Sequence, residues 1–129
     1  MKYVYPAVFF PEGDGRYNVR VPDLPGCRTF GDNIADAIDM ARDAVSMWLC
    51  DAEDKNEPIP KFSEPSALEC PPEGYVSLID ADTTEYRREN DNRAVKKTLS
   101  IPSWLNAKAE KAGINFSQTL QDALKQRLG

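Results

Sequence analysis

The chain has 129 residues, 41% of them hydrophobic and 29% charged, enough for one ordinary domain or two small ones that share core by oligomerising. It contains no histidine, which removes every imidazole general base, every Ser-His-Asp or Cys-His nucleophile and the usual zinc and copper ligand sets. The net charge of −5 hides two halves of opposite sign: residues 1–92 hold nine Lys and Arg against nineteen Asp and Glu, a net of −10, whereas residues 93–129 hold seven against two, a net of +5. A basic C-terminal module invites a polyanion and an acidic N-terminal module repels one. Cys27, Cys50 and Cys70 form no C-x-x-C pair, so they read as buried thiols and signal neither a disulfide framework nor a structural metal site. No window approaches a membrane span, and Glu12 and Asp14 stand where a signal peptide would be cleaved, so a soluble, cytosolic chain is expected.

Tyr3 to Phe10 is a β-rich run apolar on both faces, as for a strand covered on both sides, and Pro6 within it argues for an edge or a bulge. Glu12-Gly13-Asp14-Gly15 is a hairpin turn signal, and Tyr17, Val19 and Val21 then alternate with Asn18 and Arg20 as in a half-buried antiparallel strand. P-D-L-P-G closes that strand, and C-R-T-F supplies a short third one. From an N-cap at Asp32 or Asn33 the period becomes helical, with Ile34, Ala37, Ile38, Ala41, Val45, Trp48 and Leu49 on one face. Residues 51–74, rich in Pro, Glu and Asp, read as a long loop before the strand Y-V-S-L-I-D. The predicted order is β-β-β-α-β, an α+β layer with one helix on a sheet.

Tyr5-Pro6-Ala7, the E-G-D-G turn, the stretch V-R-V-P-D-L-P-G-C-R-T-F-G-D-N-I-A-D-A-I and the strand ending in Val76-Ser77-Leu78-Ile79-Asp80 together resemble the N-terminal domain of HicB-type antitoxins. That resemblance covers about the first eighty residues. It implies a truncated ribonuclease-H-like fold, placed at residues 1–81, that binds and blocks a HicA-type toxin, a small mRNA-cleaving protein encoded beside it. An active nuclease is disfavoured: the first strand has no acid to hold a divalent metal, and Asp80 and Asp82, the one D-x-D at a strand end, more often cap or face solvent. No catalytic residue, metal site or cofactor is therefore assigned. The toxin-contacting residues stay open; Glu12, Asp14, Asp36, Asp39 and Asp43 are candidates from charge alone.

Residues 82–94, charged and nearly free of aliphatic side chains, read as a linker. In V-K-K-T-L-S-I-P, a short strand sends Val95, Lys97, Leu99 and Ile101 one way and Lys96, Thr98 and Ser100 the other. Pro102 opens a short helix with Leu105, Ala109 and Ala112 inward, Gly113 ends it, and Ser117 is read as the cap of a second helix with its apolar stripe at Leu120, Ala123, Leu124 and Leu128. One strand and two helices in under forty residues cannot enclose a core alone, so this unit is expected to be an obligate dimer, with a tetramer also open.

Val95 to Leu128 closely resembles the ribbon-helix-helix repressors through K-K-T-L-S-I-P, the glycine between the helices and the N-F-S-Q entry to the second helix. The resemblance implies a DNA-binding and dimerisation domain over 95–129, with Lys96, Thr98 and Ser100 reading base edges and the amides around Phe116, Ser117 and Gln118 anchoring phosphate. The combined expectation is an antitoxin that neutralises its toxin and represses its own operon. The alternative is a ligand- or protein-responsive ribbon-helix-helix regulator without a toxin partner.

Overall fold

The computed structural model describes residues 1–129, and the chain divides into two compact units, Met1–Asn92 and Arg93–Gly129. In the first unit β1 (Lys2–Pro11), β2 (Tyr17–Arg20), β3 (Arg28–Gly31) and β4 (Tyr75–Asp82) form an antiparallel sheet in the order β3-β2-β1-β4. The helix α1 (Ile34–Asp54) packs on one face, and a short helix α2 (Thr83–Glu89) follows β4 directly. Tyr5, Ala7 and Phe9 of β1, Val19 of β2 and Ile79 and Ala81 of β4 meet Ala37, Ala41, Val45 and Leu49 of α1 in one core. These are the period-2 and period-3.6 stripes of the sequence brought face to face.

Pro6 does not mark an edge strand, because β1 is central, nor does the register slip there. β2 pairs only Val8 to Pro11, so at Pro6, opposite Leu78, the strand has β4 as its single neighbour, and an absent N–H on the other side breaks no ladder. Pro6 and Val8 are nonetheless buried on the face away from α1. The turn after β2 is a packed element: Leu24 plugs the core, the Asp23 carboxylate accepts from the Ser63 amide and hydroxyl at 2.9 and 2.5 Å, and the Pro25 carbonyl accepts from Trp48 Nε1 at 3.0 Å. The P-D-L-P-G stretch thus ties the α1–β4 connection to the sheet. Cys70, on that connection, is exposed rather than buried, because its proline-rich surroundings enter no core; Cys27 and Cys50 are buried.

Asn33 is the N-cap of α1, its side chain accepting from the Asp36 amide at 2.9 Å, while Asp36 accepts from the Asp32 amide at 2.9 Å. Gly31 is required there by close approach: a Cβ would stand 2.2 Å from the Ala37 nitrogen. The helix runs on to Asp54, into the stretch the sequence assigns to a loop. Its last turn survives three acids because Ala52 is buried and Glu53 is held by groups distant in sequence.

The linker expected over 82–94 is corrected in the same place. β4 extends to Asp82, whose carboxylate caps α2 by accepting from the Thr84 and Glu85 amides, and the first unit ends at Asn92 rather than at residue 81. Arg87 fastens α2 to α1, reaching Asp54 at 2.8 Å, Glu53 at 3.1 Å and the Cys50 carbonyl at 3.2 Å.

In the second unit α3 (Ser103–Lys111) and α4 (Phe116–Leu128) flank a turn at Gly113, whose φ of +70° is the left-handed conformation expected beyond a helix end. The cap of α4 is Asn115, accepting from the Gln118 amide at 3.0 Å, and Ser117 lies inside the helix. Val95 to Ile101 forms no strand in the single chain, since it has no neighbour to take up its backbone N–H and C=O groups. No residue of this unit is buried.

Candidate partner- and nucleic-acid-binding surfaces

Ten of the first unit's nineteen acids lie on α1, β4 and α2, where a cleft of about 370 Å³ opens. Asp39, Asp43, Asp80, Asp82, Glu85 and Glu89 line it against Lys2 and Arg42. Arg42 joins Asp39 at 3.5 Å to Asp80 at 3.1 Å, so half of the D-x-D pair holds a guanidinium while Asp82 caps α2. No three His, Cys, Asp or Glu side chains are grouped to hold a metal ion. Of the five acids singled out by charge, Glu12 bonds Asn18, Asp14 pairs with Arg16, Asp36 serves the α1 cap and Asp39 pairs with Arg42. Asp43 has no ion-pair partner and stays exposed.

Next to the cleft lies a polar network that sequence reasoning missed. The Glu53 carboxylate accepts from Tyr3 Oη at 2.7 Å, Thr83 Oγ1 at 3.1 Å and Arg87 Nη2 at 3.1 Å. Burial alone would raise the Glu53 pKa, but the hydrogen bonds from Tyr3, Arg87 and Thr83 outweigh it and hold the group below its ordinary value. Its acceptor role pushes the Tyr3 phenol up to about 12. Burial raises the Cys27 thiol to about 11, which keeps it protonated and unreactive at neutral pH.

In the second unit Lys96, Thr98 and Ser100 are all exposed on the extended segment, with Val95 (81% exposed), Leu99 (62%) and Ile101 (46%) exposed between them. Trp104, Leu105, Ile114, Phe116, Leu120, Leu124 and Leu128 are also open to solvent. Of the amides expected to anchor phosphate, that of Gln118 is taken by Asn115, whereas those of Phe116 and Ser117, at the first turn of α4, have no acceptor in the chain. The Gln118 side chain turns back along the helix to Asp122 at 2.9 Å. The six predicted contact residues thus fall into two groups, three on the extended segment and three on one helix turn, and a single chain does not join them into a ribbon.

No helix is long and apolar enough to cross a membrane. Residues 5–124 match the family model of the HicB-like antitoxin of bacterial toxin-antitoxin systems. A 14.9 kDa protein of the rep-hol intergenic region of Haemophilus phage HP1 is 30% identical over 105 residues, which cover 79% of this chain and 75% of that one. A chain of a toxin-antitoxin complex from Streptococcus pneumoniae superposes with a TM-score of 0.61 at 27% identity, over 98% of this chain and 99% of that one. The fold is also that of the Burkholderia pseudomallei antitoxin HicB, at a TM-score of 0.55 and 23% identity over 98% and 99% of the two chains. The mixed α+β architecture of this chain, with its four-stranded antiparallel sheet, matches solved HicB antitoxin structures, and the family match spans both units. The chain belongs to the HicB-like antitoxin family.

Proposed function

We propose that the chain neutralises a small RNA-cleaving toxin of the HicA type with its first unit and represses its own operon with its second, as a cytoplasmic dimer or tetramer. The first unit, a truncated ribonuclease-H-like layer in this reading, sequesters the toxin without chemistry of its own. An enzyme that cuts RNA must grip phosphate and so is basic, and the −10 domain then steers the encounter. The relative from the Streptococcus pneumoniae toxin-antitoxin complex supports a protein partner.

The observation that carries the second half is that residues 93–129 bury nothing, while ten large apolar side chains there are exposed. Pairing two copies of Val95–Ile101 antiparallel satisfies the idle backbone and buries Leu99, Ile101, Leu120 and Leu124 between chains. That pairing leaves Lys96, Thr98 and Ser100 outward, where lysine donates to guanine and the hydroxyls donate or accept. The free amides of Phe116 and Ser117, with Gln118 beside them, then receive phosphate. The test is direct: full-length protein is titrated with the toxin and with DNA from upstream of its own gene. Toxin binding with protection of RNA, and saturable binding of that DNA over random sequence, are expected. DNA binding without toxin binding would leave the regulator reading instead.

A further inference from the structure

On the face of the sheet turned away from α1, two arginines stand opposite one another without a counter-charge. Val19, opposite Phe9, is in the core, so its neighbour Arg20 points to the outer face, and there it stands directly opposite Arg28 of β3. Like charges at opposed positions of an antiparallel pair repel. In a domain with nineteen acids, Arg16, Arg42, Lys55, Arg87 and Arg88 each have a carboxylate within 4.0 Å, and Arg20 and Arg28 have none. Arg20 lies over the Phe10 ring at 5.2 Å and donates to the Glu69 carbonyl at 3.3 Å, whereas the Arg28 side chain is exposed and makes no hydrogen bond or ion pair within the chain. Glu12 bonds Asn18 in the adjoining row and pairs with neither arginine. That row reads Phe10, Asn18, Phe30 across the strands, with Phe30 58% exposed, and a cleft of about 330 Å³ lies between the two rows.

Two arginines at opposed positions without a counter-charge, beside exposed aromatic surface, form a place that an anion complements. We propose that this outer face of β2 and β3 is the contact that sets the orientation of the bound toxin, taking a carboxylate-bearing segment of it with an apolar side chain against Phe30. The proposal rests on the antitoxin reading above. Nucleic acid is disfavoured as the occupant because a polyanion must approach a −10 domain, while one carboxylate on a basic protein arrives with the net field in its favour. The acidic remainder of the domain draws such a partner in from any side, and a lone positive patch accepts it in one register only.

The test compares Arg28→Glu with Lys61→Glu, a second exposed base without an ion pair, in the full chain against the toxin encoded beside it. Both changes make the domain more acidic by the same amount, so attraction through the overall field leaves both variants binding a basic toxin as tightly as the wild type or tighter. The proposal expects Arg28→Glu to raise Kd tenfold or more, with a melting midpoint unchanged or raised because the Arg28 side chain bonds nothing in the chain and a carboxylate there faces Arg20, and Lys61→Glu to stay within twofold. Equal or tighter toxin binding by Arg28→Glu overturns it, as does parallel weakening in both variants. Arg28-dependent binding of a single-stranded RNA with toxin affinity unaffected also overturns it, in favour of a nucleic-acid surface. Failure of the wild-type chain to bind the toxin at all would overturn the antitoxin reading itself, an outcome distinct from the others.

Discussion

The two units solve the problem of apolar surface in opposite ways. Met1–Asn92 closes thirteen residues into a core between one helix and one sheet, and a short helix that the sequence disguises as a linker is pinned on by Arg87. Arg93–Gly129 has amphipathic helices of ordinary pattern yet buries no residue. A unit of the first kind carries its stability within one chain, and under the proposed function a unit of the second kind finds it in a second copy. The charge divides at the same place, −10 before it and +5 after. Stability, oligomerisation and partner choice are therefore separable by mutation.

The largest effect expected is loss of the dimer. Leu120→Asp places an unpaired charge in the proposed inter-chain core and should cost about 3–5 kcal/mol of association free energy. Light scattering should report a species of half the mass, while the first unit keeps its fold and its toxin binding. Retention of the wild-type mass would show that the second unit does not hold the chains together. Next comes Leu49→Ala, which hollows the core beneath α1 and should lower the stability of the first unit by about 2–5 kcal/mol in urea unfolding. Operator binding by the second unit should survive at concentrations of denaturant that unfold the first.

Periodicity and turn chemistry made much of this legible. The four strands of the first unit, the N-cap at Asn33, the helical stripe from Ala37 to Leu49 and both helices of the second unit follow from local pattern. What stayed hidden depends on residues far apart in the chain. The last turn of α1 contains Asp51, Glu53 and Asp54 and looks like a loop until Tyr3, Thr83 and Arg87 are seen around Glu53. α2 looks like a linker because its attachment to α1 is made by an arginine rather than by aliphatic side chains. The proximity of Asp82 to the Thr84 and Glu85 amides was the local signal for it, an Asx cap ahead of T-T-E. The strand expected at Val95–Ile101 is the converse case: its alternation is plain in the sequence, yet none forms, because a single chain holds nothing for it to pair with. Arg20 and Arg28 become neighbours only through the register of β2 on β3.

A smaller change probes the second unit's surface rather than its interface. Thr98→Ala should weaken operator binding by about 1–3 kcal/mol and leave nonspecific DNA binding nearly intact, because base contacts specify and phosphate contacts position. Lys96→Ala should also weaken the operator complex, and a phosphate role for it would show as a flatter salt dependence in fluorescence anisotropy. Neither change should release toxin, whose proposed site lies in the other unit. Unaltered operator affinity in the double variant would remove the ribbon as the reading element.

The smallest effect sharpens what holds the first unit's elements together. In Tyr3→Phe the Glu53 carboxylate loses its 2.7 Å donor but keeps Thr83 and Arg87, so a cost of only about 1 kcal/mol at pH 7 is expected. The pH profile is the more telling readout. Tyr3 has a folded pKa raised to about 12 from 10.0, so its contribution is complete below pH 10 and is lost as the pH rises toward 12. Glu53 has a folded pKa below its ordinary 4.5, so its contribution is present above that value and disappears as the pH falls through the lowered one. Urea unfolding of the wild type between pH 9 and 12 should show an extra fall that Tyr3→Phe lacks. On the acid side the variant should lose stability at a higher pH than the wild type, because Glu53 without Tyr3 is protonated more easily. Curves that run parallel at both ends would mean that Arg87 and Thr83 alone hold the carboxylate and that β1 plays no part in fastening α1 to α2.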